Sequence, residues 1–203
     1  MNTKPTIQAV LFDLGGVILN DDFRVAAKKM APKINRTAKQ LVAAFAKADT
    51  NEFNSGKLPE KIFWSRIEDS LKLKRGELYS IRTLYYDCYT PLPNMIRLLE
   101  KIMPEYPLYL LSNQTRRAYY LQKKFGYTKY FRKLFYSFKL GVSKPDKAFY
   151  TAVLKQILIK PNALIFIDDR AKNIATADTL GFNTILFKNA VQLQRALKQY
   201  TII

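Results

Sequence analysis

The sequence of 203 residues contains no histidine and a single cysteine, Cys88. The absence of histidine excludes serine–histidine and cysteine–histidine catalytic pairs and histidine-rich zinc sites. One cysteine excludes an internal disulfide and a cysteine metal cluster, which is consistent with a reducing compartment. Any catalysis must therefore use carboxylates, hydroxyls and lysines.

The sequence also has no apolar run long enough to span a bilayer. Residues 1–5 lead directly into the first apolar stretch and carry no hydrophobic signal core. We therefore expect a cytoplasmic protein without a membrane segment, either a monomer or a weak dimer. With 48% hydrophobic residues, the chain can bury the core of one ordinary domain, or of a core domain with an insertion.

Acidic residues are scarce, since 16 Asp and Glu stand against 34 Lys and Arg, and the net charge is +18. Residues 116–139 contain eight basic residues and no acidic one, interleaved with aromatic residues. This composition is typical of a nucleic-acid surface and equally of a solvated basic face over an aromatic core. We favour the second interpretation because the basic residues have no fixed spacing, and both interpretations predict a preference for anionic ligands.

The most informative stretch of the sequence is residues 9–19. It begins with a short apolar run that ends at Asp13, and Gly15 and Gly16 follow. The run is too short for an independent helix and is typical of a buried strand. The two glycines allow a sharp turn and the close approach of a ligand. In parallel α/β sheets, ligands bind beyond the carboxyl ends of the strands, which is where Asp13 falls.

The next segment, residues 20–90, has helical periodicity and no strand signal of comparable strength. Asn51–Leu58 is expected to be a polar turn within it. We expect four helices here, at about 22–31, 37–48, 59–71 and 75–86. The segment is thus predicted to be an all-helical insertion after the first strand.

Beyond residue 90, strand and helix patterns alternate, with Pro145 expected in the first turn of a helix that continues over 146–158. Such alternation predicts a Rossmann-like parallel sheet of the α/β class with right-handed crossovers. The strands are expected at about 107–111, 134–138, 163–167 and 183–187. We therefore predict a core domain of residues 1–19 and 91–203, with an inserted helical domain of residues 20–90.

Chemically active side chains follow several of the predicted strands. Because the carboxyl ends of parallel strands share one edge of the sheet, we expect these side chains to converge. They are Asp13, Ser112, Lys144, Asp168 and Asp169. Each has an ordinary alternative as a cap, a surface lysine or a loop carboxylate, but their joint placement at strand ends favours one site.

Four ordered motifs carry a resemblance to a known family. They are Phe12-Asp13-Leu14-Gly15-Gly16-Val17, Leu111-Ser112-Asn113, Ser143-Lys144-Pro145-Asp146, and Ile167-Asp168-Asp169 followed by Asn173. Together they resemble the haloacid dehalogenase-like superfamily of aspartate-nucleophile phosphatases, over residues 9 to about 188. The helical insertion lies where this superfamily carries its helical cap. The Asp-Leu-Gly motif is most similar to that of the α-glucose-1-phosphate phosphatase-like group.

The resemblance implies a role for each residue. Asp13 would attack phosphorus to give an aspartyl-phosphate, which water hydrolyses. Ser112 and its neighbour Asn113 would bind the phosphoryl group, and Lys144 would balance its charge. The implied cofactor is Mg²⁺, held by Asp13, the Gly15 carbonyl, Asp168 and Asp169. Asn173 would orient the site, or would be an ordinary polar residue of its helix.

One position departs from the family pattern. Most phosphatases of this superfamily carry a second aspartate two residues after the nucleophile as general acid and base, whereas this sequence has Gly15. Three hypotheses follow. The substrate has a good leaving group, such as an anomeric sugar phosphate or an acyl phosphate; Asp21 or Asp22 supplies the proton; or the enzyme is slow or inactive.

The function expected from these residues is Mg²⁺-dependent hydrolysis of a small phosphomonoester, such as a sugar phosphate. The alternative is a protein of this fold with little or no turnover that binds an anionic partner such as nucleic acid. A 2-haloacid dehalogenase is a minor alternative, because the carboxylates at 168–169 would repel an anionic haloacid. The substrate is expected to be a small phosphorylated metabolite, since capped sites exclude bulk.

Overall fold

The computed structural model of the protein describes residues 6–203, so the expectation for residues 1–5 lies outside it. A five-stranded parallel sheet forms the core, in the order β5-β4-β1-β6-β7. Its strands are β1 (Ala9–Phe12), β4 (Leu108–Ser112), β5 (Lys133–Tyr136), β6 (Leu164–Asp168) and β7 (Asn183–Leu186). The predicted α/β class with a Rossmann-like parallel sheet is confirmed.

The central strand β1 is buried along its whole length. It pairs with β4 on one side and β6 on the other, with Phe12 opposite Leu110 and Ile167. Apolar side chains on both faces of such a strand explain its continuous hydrophobic run, because helices cover both faces of a parallel sheet. The register brings Asp13, Ser112 and Asp168 to one edge of the sheet.

Six helices accompany these strands. Asp146 caps α9 by accepting a hydrogen bond from the Ala148 N–H at 2.9 Å, so Pro145 precedes the helix rather than lying in its first turn. Polar residues that satisfy the first N–H groups set such boundaries. The helices are α6 (Met95–Ile102), α7 (Arg117–Phe125), α8 (Ser137–Leu140), α9 (Lys147–Ile157), α10 (Ala171–Thr179) and α11 (Ala190–Gln199).

Between β1 and α6, the chain forms five helices bracketed by two short strands. These strands, β2 (Leu19–Asn20) and β3 (Thr90–Pro91), pair with each other in antiparallel orientation. The helices are α1 (Phe23–Met30), α2 (Ala38–Lys47), α3 (Thr50–Asn54), α4 (Glu60–Leu71) and α5 (Glu77–Asp87). The short α3 corrects the polar turn expected at 51–58: Asp49 caps it through the Glu52 N–H at 3.1 Å.

The helical segment has a hydrophobic cluster of its own, built around Phe45, Phe63, Trp64 and Ile67. Two further clusters lie against the two faces of the parallel sheet. Separate clusters are what independent domains would form. The boundaries at residues 20 and 90 nevertheless stay a prediction.

The basic stretch 116–139 does not form a continuous aromatic surface. Arg117 is buried, and so are most of the aromatic side chains around the sheet edge, whereas Tyr119 and Tyr120 are exposed. The buried aromatic residues are Tyr127, Tyr130, Phe131, Phe135 and Tyr136. Buried rings are not available to stack on nucleic-acid bases. Among residues 6–203, no helix has the length and apolar character needed to cross a membrane.

Candidate active site

Asp13 follows β1 directly and lies at the carboxyl edge of the sheet, where its side chain is almost completely buried. Its Oδ1 accepts hydrogen bonds from the Leu14 N–H at 2.7 Å and from Lys144 Nζ at 3.0 Å. The Asp13 N–H donates to the Ile167 carbonyl at 2.9 Å and thereby anchors the residue to β6. The carboxylate is therefore fixed by backbone and side-chain contacts.

Lys144 lies in the loop before α9 and reaches under the site with its side chain 1% exposed. Its Nζ contacts three oxygens, the Leu111 carbonyl at 2.8 Å, Asp168 Oδ2 at 2.7 Å and Asp13 Oδ1 at 3.0 Å. Burial alone would lower the pKa of Lys144, but the two carboxylates outweigh burial and raise it. The lysine is thus a permanent cation between the two acids.

Asp168 ends β6 and is completely buried, and both of its oxygens accept hydrogen bonds. The Asn173 amide donates to both oxygens at 2.9 Å, and the Arg170 N–H donates to Oδ1 at 2.8 Å. These hydrogen bonds fix the orientation of the Asp168 carboxylate. The Asn173 carbonyl in turn accepts a hydrogen bond from the buried Tyr150 hydroxyl at 3.0 Å.

Three carboxylates form a cluster at this edge, with one oxygen each from Asp13, Asp168 and Asp169 within 4.8 Å of one another. Burial raises the pKa of Asp13 from its ordinary 3.8 to about 8 in spite of Lys144, and Asp168 and Asp169 add to the rise. The pKa of Asp169 is also raised, by burial and by Asp168. One lysine does not neutralise three acids, so the donor set fits a hard divalent cation with oxygen ligands.

Gly16 gives Asp169 the space to join this cluster. A Cβ on Gly16 would lie 2.4 Å from Asp169 Oδ2, and the φ of Gly16 is +73°. A side chain at this position would be strained and would push the carboxylate away. The glycine pair after Asp13 therefore has a packing role as well as a role in the turn.

The two acids that follow the first motif, Asp21 and Asp22, have different surroundings in the structure. Asp21 lines the same cavity as Asp13, and a Cβ on Gly15 would lie 2.2 Å from Asp21 Oδ2. Burial raises the pKa of Asp21 despite the opposing charges of Arg170 and Arg117. Asp22 is exposed and caps α1 by accepting from the Arg24 N–H at 2.9 Å.

Ser112 ends β4, is 1% exposed and lines the cavity beside Asp13. Its hydroxyl has no hydrogen-bond partner among residues 6–203, so it is available to a ligand. Asn113, expected to bind the phosphoryl group, lines the cavity but uses its side-chain amide elsewhere. Its Nδ2 donates to the Lys144 carbonyl at 2.7 Å, and its Oδ1 accepts from the Lys144 N–H at 2.8 Å.

The cavity has a volume of about 200 Å³ and lies between the sheet edge and the helical segment. Four aromatic residues between β2 and β3 line the cavity on this side: Phe23, Phe45, Tyr85 and Tyr89. Sequence periodicity could not identify them, because they belong to the apolar faces that also fill the segment's interior. Polar residues from α3, Thr50 and Asn54, line the same side.

Two arginines of the site were not predicted from the sequence. Arg117 is buried beneath the cavity, where it donates to the Tyr85 carbonyl at 2.8 Å and the Tyr89 hydroxyl at 2.9 Å. Its guanidinium lies 3.7 Å from the centre of the Tyr85 ring. Arg170 follows the second aspartate of the fourth motif and also lines the cavity. Both increase the positive charge that an anionic ligand would meet.

A contact between α3 and the core holds the helical segment over the cavity. Ser137, completely buried, donates its hydroxyl to the Asn54 carbonyl and accepts from the Gln114 N–H at 3.0 Å. Gly56 packs so closely on the core that a Cβ there would lie 2.8 Å from the Phe138 carbonyl oxygen. The helical segment is therefore held against the core beside the cavity.

Comparisons with known proteins agree with this geometry. A family model described as haloacid dehalogenase-like hydrolase matches residues 7–181. A sesquiterpene phosphatase of Aspergillus oryzae is 25% identical, over 87% of this chain and 87% of its own. D-ribitol-5-phosphate phosphatase of Bacteroides thetaiotaomicron is 24% identical, over 94% of this chain and 97% of its own.

A solved structure has the same fold. It is a haloacid dehalogenase family enzyme of Bacteroides thetaiotaomicron in complex with magnesium and inorganic phosphate. The two chains superpose with a TM-score of 0.73 at 24% identity, over 91% of this chain and 96% of the other.

Proposed function

This chain belongs to the haloacid dehalogenase-like hydrolases, and from that premise we propose that it hydrolyses a small phosphomonoester through an aspartyl-phosphate on Asp13. The observation that carries the proposal is Lys144 Nζ bound between the carboxylates of Asp13 and Asp168, at 3.0 and 2.7 Å. A cation fixed between two acids at a strand edge lowers the pKa of Asp13 against the effect of burial and so favours the ionised nucleophile. The two relatives are named as phosphatases, which supports the same reaction class.

Asp13 is oriented for its role as nucleophile by the two hydrogen bonds to Oδ1. Its attack on phosphorus would displace the alcohol, and water would then release phosphate from Asp13. Dividing one difficult displacement into two easier ones is the advantage of covalent catalysis. The surrounding protein contributes chiefly position and charge, as is usual in phosphoryl transfer.

Mg²⁺ fits the donor set of this site. Asp13, Asp168, Asp169 and the Gly15 carbonyl would hold it, since all offer the oxygen atoms that this ion prefers. Bound there, it would neutralise the phosphoryl oxygens and orient the group toward the nucleophile. Asn173 and the Arg170 N–H keep Asp168 in place for this purpose.

The phosphoryl group would also meet one free donor and one positive charge of the chain itself. The Ser112 hydroxyl is free to donate, and Lys144 Nζ compensates the charge that shifts from Asp13 to the phosphoryl oxygens. The side chain of Asn113 would act indirectly, through the position of Lys144. The cavity volume of about 200 Å³ favours a small substrate, such as a sugar phosphate or a phosphorylated polyol.

The test is a phosphate-release screen over sugar phosphates, polyol phosphates, nucleotides, acyl phosphates and aryl phosphates, with and without Mg²⁺. We expect turnover of some member with Mg²⁺, loss of turnover in EDTA, and loss of turnover in Asp13→Asn protein. The control variant is Asp146→Asn, because Asp146 lies in the same motif as Lys144 but its carboxylate only caps α9.

Absence of phosphate release from every class, in protein that folds and binds Mg²⁺, would contradict the proposal. Salt-sensitive binding of nucleic acid by that inactive protein would favour the alternative of a binding protein. Turnover that survives in Asp13→Asn protein would exclude the aspartyl-phosphate.

A further inference from the structure

Gly15 lacks the carboxylate that phosphatases of this family usually carry two residues after the nucleophile, yet the space beside it is not empty. A Cβ built on Gly15 would lie 2.2 Å from Asp21 Oδ2 and 2.7 Å from Asp21 Cγ. These distances are far below van der Waals contact, so the Asp21 carboxylate occupies the volume into which a side chain at position 15 would extend. A side chain at position 15 and the Asp21 carboxylate therefore could not both occupy this volume.

The backbone after β1 explains how Asp21 reaches this place. The chain turns back at once, since the N–H groups of Ile18 and Leu19 both donate to the Leu14 carbonyl at 2.9 Å. The Gly16 N–H donates to the Leu19 carbonyl at 2.8 Å and closes the turn. Pairing of Leu19 with Pro91 then fixes the direction in which the chain continues. Asp21 therefore returns to Gly15 on a rigid path.

The Asp21 carboxylate is also chemically available. It lines the cavity together with Asp13, Ser112 and Lys144. It accepts no hydrogen bond and forms no ion pair within 4.0 Å among residues 6–203, whereas Asp13 and Asp168 each have several partners. An acid with a structural role would normally be paired when it is partly buried.

The other nearby acids have different tasks. Asp22 is not among the residues that line the cavity, and its carboxylate accepts from the Arg24 N–H as the cap of α1. Asp169 lies against Gly16 in the carboxylate cluster. Neither occupies the position beside Gly15.

We propose that Asp21 is the proton donor for the leaving group and the base for water, in place of a side chain at position 15; this inference rests on the proposed phosphatase function. As the bond between Asp13 and phosphorus forms, the bond to the leaving oxygen breaks and that oxygen takes the proton of the Asp21 carboxyl. The Asp21 carboxylate next takes a proton from the water that attacks phosphorus, and the electrons of the breaking bond return to Asp13. An alcohol and phosphate leave, and Asp21 is again protonated.

The inference changes the expected substrate. An enzyme without a general acid needs a leaving group that departs as an anion, such as the anomeric oxygen of a sugar. With Asp21 as donor, ordinary alkyl phosphates, including those of primary alcohols in sugars and polyols, fall within reach.

The first test compares Asp21→Asn with Asp22→Asn on two substrates. One is p-nitrophenyl phosphate, whose leaving group needs no proton, and the other is the best alkyl phosphate found in the screen. We expect Asp21→Asn to lower kcat for the alkyl phosphate about 10²–10⁴-fold. With p-nitrophenyl phosphate, Asp21→Asn should rapidly release about one equivalent of nitrophenolate per enzyme and then turn over slowly. Formation of the aspartyl-phosphate needs no proton for this leaving group, whereas hydrolysis of the aspartyl-phosphate needs Asp21 as the base.

Asp22→Asn is the matched control, since asparagine caps helices about as well as aspartate and this residue lies outside the cavity. It should retain near wild-type rates with both substrates. Alkyl phosphate turnover within about threefold of wild type in Asp21→Asn would overturn the inference. An equal loss on both substrates without a burst would also overturn it, because a structural defect does not discriminate between leaving groups.

The second test moves the carboxylate to the usual position. The φ of Gly15 lies outside the left-handed region, so an aspartate is compatible with the backbone once Asp21 has been shortened. Gly15→Asp combined with Asp21→Ala should be at least tenfold faster on the alkyl phosphate than Asp21→Ala alone. A double variant that folds with an unchanged melting temperature and is no faster would overturn the equivalence of the two positions. Wild-type protein that releases no phosphate from any substrate would instead refute the underlying phosphatase function.

Discussion

Asn113 and Lys144 hold each other through two hydrogen bonds between the side chain of the first and the backbone of the second, at 2.7 and 2.8 Å. The end of β4 and the loop before α9 are thereby joined at the point where Lys144 enters the site. We therefore predict that Asn113 is a positioning residue, because its side-chain hydrogen bonds join only the Lys144 backbone.

Asn113→Ala should lower kcat about 10–100-fold, the range typical of residues that orient a group of the site, and should change KM little. In Asn113→Ala, Lys144 loses the two hydrogen bonds that position its backbone but keeps its charge. We therefore expect Lys144→Ala to lower kcat further than Asn113→Ala does. Steady-state kinetics would check this, with Asn183→Ala as control. Asn183 also donates its amide to two carbonyls, at 2.8 and 3.1 Å, but at the opposite edge of the sheet. Equal effects of both variants on kcat would contradict the positioning role.

The raised pKa of Asp13 predicts a pH dependence of stability in the metal-free protein. The pKa is about 8 in the folded chain against an ordinary 3.8, so the folded state binds this proton more tightly than the unfolded state. The contribution of Asp13 to the free energy of unfolding is therefore lost as the pH rises from about 4 to about 8. In EDTA, Asp13→Asn should melt above wild type at pH 8 and close to it at pH 4. A melting-temperature difference that does not change with pH would contradict this prediction.

Gly16→Ala should weaken Mg²⁺ binding, because the new Cβ would lie 2.4 Å from Asp169 Oδ2. We expect a loss of about 10–100-fold in affinity, measured from the Mg²⁺ dependence of the melting temperature. Gly126→Ala is the control: its φ of +61° is similar to the +73° of Gly16, but a Cβ there meets no atom within 4 Å. If both variants lower the affinity equally, backbone strain rather than displacement of Asp169 is responsible.

Gly56→Ala should disturb the closure of the helical segment over the cavity. The Cβ would approach the Phe138 carbonyl oxygen at 2.8 Å, and φ is +74°. We expect KM to rise about tenfold, since the Asn54–Ser137 contact beside it would be lost. Gly76→Ala carries a comparable backbone cost at φ +90° in open space. It should lower the melting temperature without raising KM, and a rise in both variants would contradict the prediction.

The sheet and the acids at its edge could be predicted because they depend on local pattern. Short, continuously apolar runs such as Leu164–Asp168 are typical of buried strands. The carboxyl ends of parallel strands meet at one edge of the sheet, whatever the conformation of the loops between them. The resemblance then gave Asp13, Asp168 and Lys144 their expected roles, and the geometry brings these three together. Their catalytic roles remain predictions that the variants above test.

Other features depend on side-chain direction or on long-range packing, which pattern does not specify. The end of β4 predicted that Asn113 lies at the site. It did not predict that the Asn113 amide would hydrogen-bond to the Lys144 backbone. The five residues of α3 are too few for a helical period to be recognised. Asp21 reaches Gly15 through a tight return of the chain, and Arg117 enters the site from a helix whose basic residues are otherwise exposed.

The pairing of β2 with β3 has a consequence for how this protein could change its chemistry. Because Asn20 lies opposite Thr90, the helical segment leaves and re-enters the sheet core at neighbouring points. A segment with adjacent ends can be exchanged as a unit, longer or shorter, without a change in the register of the parallel strands. If the helical segment sets substrate specificity, we predict that this specificity can be changed by such an exchange without altering Asp13. Since Asp21 lies just beyond β2, such an exchange would have to retain this residue or restore an acid at position 15.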